Sequence, residues 1–248
     1  LGLGGLVSTL SRWENLDTLD IYGGQSALQR VNNLLFKVVF PDRKGPVEIN
    51  LKPLKPGQII LEDDKFSLSA FPVRHRGPDC YGFLFEEKAR RPFLVEQAED
   101  LGVPSGPERA QLVRGQAITL ADGRVIEPDD VLGPAIPGTR YVHIGDLGQT
   151  NDLLEICRQA DALVMEATYV EDDAQMARQF GHMTAARAAR LARDAGVKTL
   201  ILTHLSRRYR ERDIFHEARS IFPNTYVARD LDHFQITRDG ATRLQKTS

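Results

Sequence analysis

The fold is decided by residues 141–204, which read YVHIGDLGQTNDLLEICRQADALVMEATYVEDDAQMARQFGHMTAARAARLARDAGVKTLILTH. Three short apolar runs with strand character alternate here with helical stretches, at 141–145, 162–165 and 199–203. The helix predicted over 184–195 is the clearest, because alanines recur on one face and Gly196 follows as a stop signal. Strands that alternate with helices predict an α/β fold with a mostly parallel sheet flanked by helices.

Upstream of this stretch, the sequence predicts a helix after the N-terminal glycines and then short strands. Two apolar, β-branched runs at 34–40 and 47–51 are separated by a turn-forming cluster at 41–46. Residues 66–73 alternate apolar and polar side chains with period two, as a half-buried strand does. Residues 81–85 are interpreted as the partner of that strand.

The stretch between the two regions, residues 86–139, differs from both in its amino-acid pattern. Segments rich in glycine and proline at 101–107 and 133–138 bracket short amphipathic pieces. Structureless loops of this length are uncommon unless they have a function. We therefore interpret this stretch as an inserted arm, and the alternative is a long loop between two halves of one domain.

Composition indicates an ordinary globular protein. The 248 residues, 42% hydrophobic and 27% charged, fit one large α/β domain. The net charge of −2 does not itself indicate nucleic-acid binding, although basic clusters at 88–91 and 207–212 either hold phosphates or form solvated surface. No apolar run approaches the roughly 18 residues needed to span a bilayer, and no signal-peptide pattern opens the chain. Cys80 and Cys157 form no disulfide framework, so we expect a cytoplasmic protein.

Ionisable residues stand just past the predicted strands: His75, Asp146, Glu166, His204 and Asp230. Because the carboxyl ends of parallel strands meet at one edge of a sheet, we expect these side chains to converge. Imidazole and carboxylate together suit zinc or a similar cation, and a carboxylate that bridges two cations is typical of phosphodiester hydrolysis. Each residue alone has an ordinary explanation, such as helix capping by Asp146, but the set predicts a metal site.

A further histidine, His182, lies just before the helix predicted over 184–195. There it could protonate a leaving oxygen or bind a phosphate near the helix N-terminus, and the alternative is a capping loop with an incidental imidazole. The remaining histidines, His143, His216 and His233, are interpreted as structural or surface residues. Cys80 lies close to His75 but marks the start of a strand, so it is left out of the site.

Several short motifs accompany these residues: GD at 145–146, MEAT at 165–168, GHMT at 181–184, THLSRRY at 203–209 and GVPSGP at 102–107. Together they resemble the ribonuclease Z family, a branch of the metallo-β-lactamase fold, over essentially the whole chain. The last motif is similar to the protruding arm of that family, which separates it from other hydrolases of the fold. The resemblance implies a metallo-β-lactamase-type αβ/βα sandwich over residues 1–248, with an exosite arm inserted at 86–115.

The resemblance also implies two zinc ions per subunit. His75 would bind one ion, His204 the other, and Asp146 would bridge them, while His182, supported by Glu166, would serve the leaving group or the transition-state charge.

Basic residues of the arm, Lys88, Arg90 and Arg91, would contact the phosphates of a precursor tRNA. In the family the arm of one subunit serves the site of its dimer partner, so a homodimer is implied.

The implied activity is that of a zinc-dependent endoribonuclease that cleaves the 3′ trailer from tRNA precursors and leaves a 3′-hydroxyl. Two alternatives stay open at this point. One is a phosphodiesterase of the same fold that acts on small substrates, and the other is a non-catalytic RNA-binding homologue.

The sequence departs from the family pattern in two ways. The metal motif His-x-His-x-Asp-His does not occur in it, and residues 1–11 resemble the stretch that follows that motif. We therefore expect an upstream segment, carrying the motif and the first strands, to be missing and the recorded chain to be inactive. In addition, Leu147, Met165 and Met183 stand where the family has threonine, histidine and serine. These replacements predict the loss of polar groups near the phosphate.

Overall fold

The computed structural model describes residues 2–13, 17–41 and 47–245. The chain forms two compact units, one comprising Leu1–Glu86 with Arg140–Ser248 and the other comprising Glu87–Thr139. The predicted arm at 86–115 covers only the first part of the second unit. Among the described helices, none is both long and apolar enough to cross a membrane.

The described residues form the following strands and helices. The strands are β1 (Thr18–Gly23), β2 (Glu48–Pro53), β3 (Ile59–Glu62), β4 (Phe66–Val73), β5 (Cys80–Glu87), β6 (Ile118–Thr119), β7 (Val125–Ile126), β8 (Arg140–His143), β9 (Ala162–Glu166), β10 (Leu200–Thr203), β11 (Thr225–Val227), β12 (Phe234–Thr237) and β13 (Gly240–Arg243). The α-helices are α1 (Gly2–Trp13), α2 (Gln25–Asn33), α3 (Val95–Asp100), α4 (Pro107–Val113), α5 (Pro128–Val131), α6 (Leu154–Cys157), α7 (Ala174–Phe180), α8 (Ala185–Asp194) and α9 (Glu211–Ile221).

A mixed sheet is the centre of the first unit, and its seven described strands lie in the order β11-β10-β9-β8-β5-β4-β3. Strands β8, β9, β10 and β11 run parallel to one another, while β5 runs antiparallel to β8. Because β5 neighbours β4 and a short loop joins them, β4 runs in the same direction as β8. The carboxyl ends of β4, β8, β9 and β10 therefore share one edge of the sheet, as predicted from the sequence.

Helix α8 has the alanine face that the sequence predicted. Its small side chains are fully buried and allow close packing in the main hydrophobic core, which also contains Leu163 and Leu200. The hydroxyl of Thr184 accepts a hydrogen bond from the Arg187 backbone N–H and caps the helix start. Gly196 follows the end with φ +64°, a left-handed conformation that glycine adopts at little cost.

One predicted strand is wrong. Leu34–Val39 forms a π-helical turn that continues directly from α2, and not a strand. Leu28 and Leu35, seven residues apart, are both buried on one face of the continuing helix, whereas Val38 of the same run is exposed. Strand β2 instead begins at Glu48 and pairs in parallel with β1. Most of the predicted turn cluster, residues 42–46, lies outside the described residues.

The second unit has a small hydrophobic core of its own. Its buried side chains come from the helices, the hairpin and the loop between α3 and α4: Ala98, Val103, Leu112, Ile118, Ile126 and Val131. The β6–β7 hairpin pairs Ile118 with Ile126. The inserted stretch is therefore a packed module and not a structureless loop.

Candidate metal centre

Loops at the carboxyl edge of the sheet position the candidate site. His75 lies two residues beyond β4, Asp146 three residues beyond β8 and His204 directly after β10. The backbone N–H of Gly148 donates to the Arg74 carbonyl over 2.7 Å, which joins the loop after β8 to the loop after β4. This bond brings His75 and Asp146 together although 71 residues separate them in sequence.

Asp146 lies between two imidazole rings. Its Oδ2 is 4.0 Å from Nε2 of His75, and its Oδ1 is 3.5 Å from Nε2 of His204. The Asp146 side chain is 42% exposed, so the carboxylate is open to a ligand from solvent. Each carboxylate oxygen thus faces a different histidine, which is the arrangement expected of a carboxylate shared by two cations.

The ring of His75 is fixed by the loop that precedes α8. Its Nδ1 lies 2.8 Å from the carbonyl oxygen of Gly181, which can only accept, so Nδ1 carries the hydrogen. The lone pair of Nε2 is then available on the side of Asp146. A histidine that donates its other N–H in this way is oriented as metal-binding histidines are.

Glu166 is fully buried beneath the site and accepts four hydrogen bonds. Oε1 accepts from the Leu147 backbone N–H at 2.8 Å and from His182 Nδ1 at 2.8 Å. Oε2 accepts from the Thr168 hydroxyl at 2.6 Å and from the Met183 backbone N–H at 3.1 Å. Burying a carboxylate is costly unless it is hydrogen-bonded, and here all its acceptor sites have partners. The network leaves Nε2 of His182 free for the site.

The ring of His182, which this network holds, is close to the rings of the other two histidines of the site. The ring centroids of His75 and His182 are 5.2 Å apart, and those of His182 and His204 are 5.4 Å apart. His204 has φ +54°, an uncommon conformation for a residue other than glycine that occurs often at functional sites. The Thr168 hydroxyl lies 3.0 Å from its carbonyl oxygen, which links the loop after β10 to the Glu166 network.

The donors at this edge fit a borderline divalent cation such as zinc. His75, Asp146 and His182 each offer one ligand atom, and these atoms lie within 4.8 Å of one another. Imidazole nitrogen and carboxylate oxygen are ligands that zinc prefers. This cluster includes His182, which the sequence analysis gave a catalytic role, whereas His204 approaches Asp146 from the other side.

Other predicted residues lie elsewhere. Asp230 is an exposed residue after β11 and is not among the clustered donors of the described chain. Lys88, Arg90 and Arg91 belong to the second unit. Arg91 already donates to the carbonyl oxygens of Gly133 and Leu132, each over 2.8 Å, so its guanidinium braces that unit. Binding of RNA by these three residues stays a prediction.

The three departures from the family pattern lie in the core. Leu147, Met165 and Met183 have no exposed surface and belong to the main hydrophobic cluster. Their side chains therefore do not face solvent, and the effect of the polar groups that they replace stays a prediction. Leu147 and Met183 contribute to the site through their backbone N–H groups, which any residue except proline supplies.

Sequence reasoning missed two contributors to the site. The carbonyl oxygen of Gly181 orients His75, and the hydroxyl of Thr168 supports both Glu166 and the His204 loop. Thr168 could have been found, because a hydroxyl two residues beyond a buried acid can reach it where the strand ends. A carbonyl oxygen leaves no such signal in a sequence.

Known proteins share this fold. Residues 116–205 match a family model described as a beta-lactamase superfamily domain. The metallo-beta-lactamase fold protein YhfI from Bacillus subtilis superposes with a TM-score of 0.57 and 18% identity, over 91% of this chain and 68% of that one. The short form of human tRNase Z gives a TM-score of 0.56 and 20% identity, over 92% and 71%. The fold is therefore that of the metallo-β-lactamases.

Sequence similarity identifies the family within this fold. Ribonuclease Z from Bradyrhizobium diazoefficiens is 42% identical over 236 residues, which cover 95% of this chain and 78% of that protein. The chain belongs to the ribonuclease Z family. The resemblance drawn from the short motifs is thereby confirmed, and so is the predicted fold class.

Proposed function

We propose that this protein is a metal-dependent endoribonuclease that cleaves the 3′ trailer from tRNA precursors and leaves a 3′-hydroxyl. The observation that carries the proposal is the position of Asp146, whose two oxygens face His75 and His204 above the buried Glu166. The names of its relatives, ribonuclease Z and tRNase Z, point to the same substrate class.

Zinc is the proposed metal, with two ions in each subunit. His75 and His204 would each hold one ion, and Asp146 would contribute one oxygen to each. Zinc bound there would supply Lewis acidity at the phosphodiester. The support for this assignment is the donor chemistry of the described residues and the tautomer that Gly181 imposes on His75.

His182 is proposed to pass a proton to the leaving oxygen. Its Nδ1 is held by Glu166 over 2.8 Å, so Nε2 faces the site in a fixed orientation. When the bond between phosphorus and O3′ breaks and water supplies the new oxygen on phosphorus, a proton delivered to O3′ completes the 3′-hydroxyl. The trailer then leaves with the phosphate at its 5′ end. A positioned imidazole contributes about 10²- to 10⁴-fold in such steps.

We further propose that the second unit grips the tRNA body away from the metal centre and does so for the site of a dimer partner. Its own hydrophobic core supports the idea that it acts as a separate module. Arg90 is exposed in it and is better placed than Arg91 to meet phosphate, because Arg91 is engaged within the unit.

Cleavage of a precursor tRNA tests the proposed activity. Protein expressed from its complete gene and loaded with zinc should cut a 3′-labelled precursor once and leave a 3′-hydroxyl. Asp146→Ala should lower the rate by at least about 100-fold, since it removes a proposed metal ligand. The exposed Asp172 supplies a matched control, Asp172→Ala, that should cleave normally. Failure of the zinc-loaded protein to cleave would sink the proposal.

A deletion of the second unit separates the tRNA enzyme from a phosphodiesterase for small substrates. Glu86 and Arg140 are direct partners in the β5–β8 ladder, so a two-residue Asn-Gly turn can replace residues 87–139. The deletion should retain hydrolysis of bis(p-nitrophenyl) phosphate and lose cleavage of precursor tRNA. If precursor cleavage survives the deletion, the second unit does not grip the substrate.

A further inference from the structure

A basic cavity lies beside the candidate metal centre. Its volume is about 670 Å³, and His75 and Gly181 form part of its wall. Four arginines also line it, and we call it the arginine cleft after them: Arg74, Arg76, Arg178 and Arg187. Because His75 belongs to both, the cleft adjoins the metal centre.

The charge of the arginine cleft is one-sided. The other described side chains that line it are the neutral amides of Gln149, Asn151 and Gln179, and the described lining contains no carboxylate. Arg74 pairs with Asp152 outside the lining over 2.9 Å, but both side chains are largely exposed, so the pair is weak and readily exchanged. A cavity of this kind attracts anions.

The side chains of two of the arginines form no direct contact with an acceptor among the described residues, although the charge of Arg187, after the hydrogen bond from Thr184 and the contact with Arg190, helps to lower the pKa of the Glu171 carboxyl. Within the described part of the chain, the guanidinium groups of Arg178 and Arg187 make no hydrogen bond and no ion pair. Arg187 is half-buried on the first turn of α8, so its position is set by the helix. Arg is well suited to phosphate because its planar guanidinium forms two parallel hydrogen bonds to the oxygens.

An aromatic ring adjoins the cleft. Phe180 is 39% exposed, and the guanidinium of Arg76 lies 5.1 Å from its ring centroid. This stacking holds Arg76 toward the cleft. Basic grooves with an exposed aromatic ring at their border are typical of proteins that bind single-stranded nucleic acid.

We propose that the arginine cleft binds backbone phosphates of the single-stranded RNA next to the scissile bond. The inference rests on the proposed function, because it places the scissile phosphate at the metal centre. An RNA strand bound there has its neighbouring phosphates within reach of the cleft. Contacts to phosphate fix the register of a strand without reading its bases, so the four arginines act as positioning residues for cleavage.

The test is the salt dependence of RNA binding. Fluorescence anisotropy with a labelled 12-nucleotide RNA measures the affinity of the 248-residue chain between 50 and 200 mM KCl, with no metal added. Each phosphate contact contributes about 0.7 to the slope of log K against log salt for single strands. Arg178→Ala/Arg187→Ala should therefore lower the slope by about 1.4 and weaken binding about 10- to 100-fold at the lowest salt. Arg193→Ala, on the exposed face of the same helix and outside the cleft, should bind as the wild type does.

Several outcomes would overturn the inference. Wild-type affinity and slope in the double variant would do so, and so would the absence of RNA binding by the wild type. A third contradicting outcome is that inorganic phosphate displaces the RNA when its concentration equals that of the RNA phosphates. The cleft would then be a site for a single anion and not for an RNA strand. Circular dichroism of each variant ensures that a folded protein is compared.

The failure of this inference can be told apart from the failure of the proposed function. A wild-type protein that binds RNA through the cleft but never cleaves a precursor contradicts only the proposed function. A double variant that binds and cleaves as well as the wild type contradicts only the arginine cleft.

Discussion

Replacing Glu166 by glutamine tests the buried network most directly. Glutamine keeps the shape but exchanges one carboxylate oxygen for an NH₂ group, which cannot accept a hydrogen bond. If the NH₂ group takes the Oε1 position, His182 can change tautomer and accept from it, but the Leu147 N–H then loses its acceptor. If it takes the Oε2 position, the Thr168 hydroxyl can turn toward His204, but the Met183 N–H is left unpaired.

Either orientation therefore leaves one buried backbone N–H without a partner, at a cost of about 1–3 kcal/mol. For a protein of this size each kcal/mol lowers the melting temperature by roughly 2–4 °C, so we expect Glu166→Gln to melt about 2–12 °C below the wild type. Thermal unfolding followed by circular dichroism measures the difference. The exposed Glu48 supplies a matched control, because Glu48→Gln should change the free energy of unfolding by less than about 0.5 kcal/mol.

The same variant has a second readout. The ¹⁵N chemical shifts of the His182 ring report which nitrogen carries the hydrogen, and in the wild type this should be Nδ1. A Glu166→Gln protein with the melting temperature and the His182 tautomer of the wild type would refute the reasoning. Neither the carboxylate nor the four hydrogen bonds that it accepts would then contribute to stability or to the orientation of His182.

Three further predictions concern the metal centre, the loop before α8 and the core. Asp146→Ala should lower zinc affinity more than about tenfold in calorimetric titrations, and unchanged affinity would contradict its role as a ligand. Gly181→Ala should have a lower melting temperature than Gly196→Ala. Both glycines have positive φ (+69° and +64°), but only at Gly181 would an added Cβ meet Cγ of Arg76 at 3.1 Å. Equal melting temperatures would count against this contact. Burial raises the pKa of the Cys157 thiol from 9.0 to about 12. Between these pH values the thiol ionises in the unfolded chain before it does so in the folded protein. Its contribution to the free energy of unfolding is therefore complete below pH 9 and is lost as the pH rises to 12. Urea titrations across that range should show that the free energy of unfolding falls less steeply with pH in Cys157→Ala than in the wild type. An equally steep fall in both proteins would exclude the thiol as the cause of the pH dependence.

The parallel half of the sheet could be predicted because local pattern and final structure agree there. The runs at 162–165 and 199–203 are short, apolar and followed by helices, and they became β9 and β10. Residues at the ends of such strands must share an edge, so the meeting of His75, Asp146 and His204 followed from topology alone.

Other features depend on context that a sequence does not show. Leu34–Val39 has the composition of a strand, but it continues from α2 as a π-helical turn that buries Leu35. The strands β6 and β7 within the second unit were not predicted because they are two residues long, too short to show a period. The bonds of Arg91 to the Asp129 carboxylate and to two carbonyl oxygens about forty residues away leave no trace in the sequence, and its contact with RNA stays a prediction.

The mixed direction of the central sheet has a thermodynamic consequence. His75 comes from the side of the sheet that contains antiparallel strands, and Asp146 and His204 come from the parallel side. In the unfolded chain these residues are far apart, so a cation held by Asp146 together with either histidine binds only the native state. By mass action, free metal at 100 times its dissociation constant would add about 2.7 kcal/mol to the free energy of unfolding. The concentration of free metal in the cell would thereby contribute to the thermodynamic stability of this protein, independently of its catalytic rate.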